Sequence, residues 1–137
     1  MRLVAISADG EYIAAGSSAG KVYLFDKDSS TPLWCYETED DVTSVDISAD
    51  GEYITAGSRD NKVYLFGKDS STPLWSYETD DRVVSVAISA DGEYIVAGSD
   101  NDKVYFFDKD SSTLLWSYAF GGAEYANSVT ISADGKY

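Results

Sequence analysis

The chain repeats itself. A segment beginning VDIS at Val45 is preceded by a near copy beginning VAIS at Val4 and followed by another at Val86. A fourth copy opens VTIS at Val129 and runs to Tyr137. The steps are 41, 41 and 43 residues, with the extra two in the stretch Gly121 to Asn127. A fixed period of this length marks stacked units, each burying its apolar faces only against a neighbour. The 137 residues, 44% of them apolar, are therefore shared among repeats rather than folded around one core.

One unit reads as four short strands joined by turn chemistry. Strand a, Val45 to Ser48, ends at Ala49-Asp50-Gly51-Glu52, where Asp-Gly supplies the positive backbone angle of a tight hairpin. Strand b, Glu52 to Gly57, is rich in small residues and ends at the turn formers Ser58 to Asn61, matched by Ser17 to Gly20 and Ser99 to Asp102. Strand c, Lys62 to Phe66, is apolar on both faces, with Val63 and Leu65 on one and Tyr64 and Phe66 on the other. Such a strand belongs to a sheet covered on both sides. The loop Lys68 to Pro73 leads into strand d, Leu74 to Tyr77, with Pro73 at a strand start where no ladder donor is needed.

Four strands with short connections make an antiparallel meander, and side-chain size says how the copies stack. Strands a and b carry Ala5, Ala14, Ala15, Ala56, Ala87 and Ala97, whereas c and d carry the Tyr, Phe and Trp. Sheets packed around an axis are crowded inside and splayed at the rim, so the size gradient predicts a radial array. The expected fold is all-β, made of β-propeller blades at about 3–39, 44–80 and 85–119, with the first strand of a fourth at 128–132.

Two families share these motifs. Ser-Ala-Asp-Gly-Glu-Tyr-Ile-Ala-Ala-Gly-Ser, residues 7–17, resembles the strand a to strand b segment of WD-repeat propellers. Val63-Tyr64-Leu65-Phe66 through Leu74-Trp75-Ser76-Tyr77 is similar to the quinoprotein (pyrroloquinoline-quinone-type) repeat. The second resemblance implies that Trp34, Trp75 and Trp116 are structural anchors, each docking against the neighbouring blade. The Trp-Asp pair of the WD repeat is absent, strand c ending Phe25-Asp26, Phe66-Gly67 and Phe107-Asp108, and so is its Gly-His pair. No segment matches the catalytic aspartate or calcium site that quinoprotein enzymes need.

Composition narrows the partners. With 24 acidic and 10 basic residues the formal charge is −14. Nucleic acid and anionic lipid both require a basic footprint, so neither is an expected partner. Strong like charge also keeps repeat proteins from associating indiscriminately. No signal peptide or membrane span is expected, because no apolar run approaches about 18 residues. Histidine is absent, and the single Cys35 stands where the other units have Ser76 and Ser117, which reads as a small strand residue.

Several carboxylate groups have spacings that invite a chemical reading. Asp26-x-Asp28-x-Ser30 and Asp108-x-Asp110-x-Ser112 have alternate-oxygen spacing, but Gly67 breaks it in the middle copy and no distal glutamate follows, so these read as turns. Glu37, Glu39, Asp40 and Asp41, then Glu78, Asp80 and Asp81, fall between strand d and the next strand a. Connections alternate between the two faces, so Asp60, Asp100 and Asp102 of the b–c turns should join them in one acidic binding face. Asp46 replaces Ala5, Ala87 and Thr130 on the innermost strand, and its side chain is expected to point either into the central channel, where it would be hydrated, or into an interblade seam. The loop Gly121 to Asn127 is the one segment that departs from the repeat.

The expectation is a non-enzymatic propeller scaffold for protein recognition or structural assembly, with no cofactor, metal ligand set or catalytic residue. The alternative is a fragment of a quinoprotein-like enzyme whose catalytic parts lie outside these residues. Propellers close with four to eight blades, so three should not make a closed monomer. The partners expected are protein, or further copies of the repeat in a longer chain or an oligomer.

Overall fold

The computed structural model describes residues 3–100, 103–110, 114–119 and 131. They form three four-stranded antiparallel sheets in sequence order, the blades of a propeller. Blade 1 holds β1 (Val4–Ile6), β2 (Tyr12–Gly16), β3 (Lys21–Asp26) and β4 (Trp34–Glu37). Blade 2 holds β5 (Val42–Ile47), β6 (Tyr53–Ser58), β7 (Lys62–Gly67) and β8 (Trp75–Glu78). Blade 3 holds β9 (Val83–Ile88), β10 (Tyr94–Ser99), β11 (Lys103–Asp108) and β12 (Leu114–Ala119). The Gly121 to Asn127 loop and most of the 128–132 strand lie outside the described residues.

The hairpins form as the sequence dictates. Gly10, Gly51 and Gly92 close the a–b turns with φ of 73°, 75° and 76°. A serine and an aspartate then pin each turn. Ser7, Ser48 and Ser89 donate to Asp9, Asp50 and Asp91 at 2.6, 2.8 and 2.6 Å. The same carboxylates accept the backbone N–H of Glu11, Glu52 and Glu93, each at 3.0 Å.

β5 and β9 begin earlier than the sequence reading, at Val42 and Val83 rather than near Val45 and Val86. The register of β5 on β6 shifts between Val42 and Ser44, and this bulge lets the d–a connection enter the ladder sooner. In blades 1 and 2 strand d starts one residue late, at Trp34 and Trp75. Leu33 and Leu74 are 51% and 56% exposed, although their N–H groups still bond to Leu24 and Leu65.

The core is divided between blades. Ala14, Val22 and Leu24 of blade 1 meet Val45, Ile47, Tyr64 and Phe66 of blade 2. Val63 and Leu65 of blade 2 meet Val83, Val86, Tyr105 and Phe107 of blade 3. β7 is buried on both faces, with Val63, Leu65 and Phe66 at 0% and Tyr64 at 3% exposure. The first strands of successive blades lie against one another, β1 on β5 and β5 on β9, while the rim strands meet through aromatic rings. Small side chains near the axis permit that convergence: a Cβ on Gly16 or Gly57 would lie 2.5 Å from Val42 or Val83 of the next blade.

Asp46 occupies the interblade seam, one of the two places expected for it. Its carboxylate accepts the Ile47 N–H at 2.9 Å and, across the seam, the Ile88 N–H of blade 3 at 3.0 Å. Beside it, Val86 N–H donates to the Ser44 hydroxyl at 3.2 Å. Two side chains of β5 thus accept backbone N–H groups of β9 across the seam.

Candidate functional site: an acidic edge

The d–a connections and the b–c turns share one edge of the stack. Thr38 N–H donates to the Gly20 carbonyl, and Thr79 N–H to that of Asn61, both at 2.7 Å. Thr38 and Thr79 are 7% and 5% exposed, so the threonine of each Glu-Thr loop points inward. The Thr38 hydroxyl reaches the Gly20 carbonyl at 2.9 Å and that of Asp40 at 2.5 Å. Thr79 repeats this on Asn61 and Asp81, at 3.0 and 2.5 Å. These buried threonines fix the loops, so the flanking carboxylates are held outward. Their role was not read from the sequence, although the recurrence of Thr between acidic residues was a usable signal.

Glu37, Glu39, Asp40, Glu78 and Asp80 are exposed on this edge, whereas Asp41, Asp60, Asp81 and Asp100 are partly buried. Asp102 lies outside the described residues. The partly buried members are tied into the fold. Asp41 is 4.0 Å from Arg59, and Asp100 is 2.8 Å from Arg82. Asp81 accepts the Arg82 N–H at 2.8 Å. Asp60 accepts the Lys62 N–H at 3.0 Å, the Glu39 N–H at 3.3 Å and the Tyr64 hydroxyl. Burial and that carboxylate drive the Tyr64 phenol well above its ordinary pKa. Among the exposed members, Glu39 and Asp80 make loose ion pairs with Lys62 and Lys103, at 4.0 and 3.5 Å. The edge thus contains two populations, carboxylates spent on structure and carboxylates turned to solvent.

Arg59 and Arg82 line an open hollow of about 220 Å³ with Thr43, Val84 and Asp100. Two cations within an acidic edge locally break its sign.

The alternate-oxygen loops turn on their own carboxylates where they are described, Ser112 lying outside the described residues. Asp28 N–H donates to Asp26, and Asp110 N–H to Asp108, both at 2.9 Å. Among the described residues no group of three or more acidic or sulfur ligands is placed to hold a metal ion. The Cys35 thiol is exposed and unpaired.

The tryptophans occupy equivalent places with different surroundings. Trp34 lies 5.1 Å from the Phe66 ring and donates its Nε1–H to the Lys68 carbonyl at 2.9 Å. Trp75 lies 5.2 Å from Phe107 and donates to the Lys109 carbonyl at 2.8 Å. Each joins its own blade to the next. Trp116 is 52% exposed and stacks on Phe106 of its own blade at 5.2 Å.

Repeated antiparallel meanders, converging first strands and interblade tryptophans define a β-propeller repeat protein of the quinoprotein type. Over residues 18–136 the chain matches the family described as outer membrane protein assembly factor BamB, and it belongs to that family. No curated protein matches the chain. No helix among the described residues is long and apolar enough to cross a membrane.

Proposed function

We propose that the chain is a non-enzymatic propeller scaffold that recognises other proteins through its acidic edge, preferring a basic surface. The observation that carries this reading is the recurrence of solvent-turned carboxylates, Glu37, Glu39 and Asp40 in one loop and Glu78 and Asp80 in the next. Fields from like charges repeated on one edge add, which raises the encounter rate with a cationic partner. Buried threonines hold the loops in place, so little loop ordering is left for binding to pay for. The family's description as an assembly factor is in keeping with a role exercised on other proteins.

The test is titration with a Lys/Arg-rich peptide. The comparison variant carries Glu37→Gln, Glu39→Gln, Asp40→Asn, Glu78→Gln and Asp80→Asn, all exposed, and the two loose ion pairs among them, of Glu39 and Asp80, contribute little to stability. Affinity should fall at least about tenfold, and its salt dependence should flatten. Unchanged affinity, or an on-rate flat across ionic strength, removes the edge as the binding site. A bound chromophore in the native preparation overturns the non-enzymatic reading.

A further inference from the structure

Within the repeats, cations follow a rule that Arg59 and Arg82 break. Lysine recurs in every unit, with Lys21, Lys62 and Lys103 opening strand c and Lys27, Lys68 and Lys109 following it. Arg59 has Ser18 and Asp100 as its counterparts, and Arg82 has Asp41. The two exceptions meet in the hollow of about 220 Å³ where β5 and β9 converge. Each guanidinium thus stands in a place that the acidic pattern of the edge would give to a carboxylate or a hydroxyl.

The walls of this hollow are fixed. Thr43 is 4% exposed, and its hydroxyl reaches the Val83 carbonyl of β9 at 2.6 Å and the Gly57 carbonyl of β6 at 3.2 Å. Arg59 N–H donates to the Asp41 carbonyl at 2.8 Å, and Asp100 N–H to that of Arg82 at 2.9 Å. The side chains of the two arginines are used differently. Arg82 holds Asp100 at 2.8 Å, whereas Arg59 comes only within 4.0 Å of Asp41, beyond hydrogen-bond length. The Arg59 fork of donors is therefore not spent on that carboxylate.

We propose that the hollow seats an acidic side chain, glutamate or aspartate, set within the basic partner segment that the acidic edge attracts. This deepens the role of the edge and rests on it. Charge selects the class of ligand. The described lining holds two cations and one anion, so a single negative charge balances it, and a carboxylate matches the planar fork of a guanidinium. A dianion such as phosphate would bring surplus negative charge into an edge that is already acidic. The space is several times the roughly 30 Å³ that one water occupies, which is room for an acidic side chain. Position selects a side chain over a chain terminus. Asp40 adjoins Asp41, the neighbour of Arg59, and Asp80 stands two residues before Arg82. A segment engaging the carboxylates of both loops passes the hollow with an internal residue. The acidic residue then sets the register of an otherwise uniformly basic segment, which long-range attraction alone does not fix.

Blocked Lys/Arg-rich peptides titrated against the whole chain test the proposal. One series carries a single glutamine, moved along the peptide one place at a time, and the other carries glutamate at the same places. Each glutamate removes one positive charge from the peptide's balance, so attraction to the edge by itself ranks the glutamate series weaker. The expected result is the reverse at one or two adjacent placements, where glutamate should bind at least about threefold tighter than glutamine. Arg59→Gln should abolish that advantage while the glutamine peptides bind as well as before or better, because the edge becomes more acidic. Arg59→Lys keeps the charge without the fork and should retain only part of the advantage. Arg59 is half exposed and its ion pair is long, so neither substitution should disturb folding.

Glutamine peptides that bind with no glutamate advantage at any placement would overturn the role of the hollow and leave the edge standing. So would an advantage indifferent to Arg59→Gln, or one seen only with a free C-terminal carboxylate. Glutamine peptides that fail to bind would overturn the role of the edge, and that of the hollow with it.

Discussion

Gly10 and Gly51 hold the same place in successive repeats and the same left-handed backbone, yet they face different neighbours. A Cβ on Gly51 would lie 2.5 Å from the Tyr12 ring, and one on Gly92 would lie 2.7 Å from Tyr53. A Cβ on Gly10 would meet nothing within 4 Å. The glycine is required in every unit by its turn, but only in the second and third by a ring from the preceding blade.

Alanine substitution separates those two demands. Gly10→Ala should destabilise by about 1–2 kcal/mol, the backbone term alone. Gly51→Ala carries the same term and must also displace the Tyr12 ring, which adds about 1–3 kcal/mol of overpacking. Denaturant titration of the two variants should therefore rank Gly51→Ala as clearly worse. Equal losses would mean that the Tyr12 ring yields without strain.

The tryptophans give a second contrast. Trp75→Ala removes a ring packed on Phe107 and a hydrogen bond to the Lys109 carbonyl, so a loss of about 3 kcal/mol is expected, at the lower end for a large aromatic because Trp75 is partly exposed. Among the described residues Trp116 stacks on Phe106 of its own blade alone, so Trp116→Ala should cost about 1 kcal/mol in dilute solution. Thermal or denaturant unfolding of both, at concentrations below any self-association, measures the difference. A Trp75→Ala loss below about 1 kcal/mol would show that the interblade anchor contributes little.

Much of this architecture could be read from periodicity alone. The constant step predicts equal units, Asp-Gly predicts the a–b turns, and a strand apolar on both faces predicts that β7 is covered twice. What the sequence concealed were pairings between residues far apart in the chain. Asp46 looks like a lone carboxylate on the innermost strand, and only the closeness of β9 shows that it accepts the Ile88 N–H. Asp60 looks like one more acidic turn residue, and only the fold of β7 brings the Tyr64 hydroxyl to it. Likewise, similar local sequence made the three tryptophans equivalent on paper. A ring's burial depends on the next blade, and Trp116 has no described one.

The Tyr64–Asp60 bond also sets how the fold should respond to alkali. The Tyr64 side chain is 3% exposed, and burial first, then the Asp60 carboxylate, raises its pKa above the ordinary value near 10. A raised folded-state pKa means that the contribution is fully present below the unfolded pKa of about 10. It is lost as pH rises from there through the folded value. Between pH about 10 and about 11 the loss approaches about 1 kcal/mol from this group alone, below the limit of about 1.4 kcal/mol per proton per pH unit. The chain holds 11 tyrosines, so the comparison must be differential. Tyr64→Phe deletes the titration and should flatten the alkaline fall in the denaturant midpoint, whatever it does to stability near neutrality. Asp60→Asn keeps an acceptor for the phenol but removes its charge, and should flatten the fall by less. If the wild type and Tyr64→Phe lose stability in parallel across that pH range, the phenol ionises as readily folded as unfolded, and the bond to Asp60 does not hold its proton.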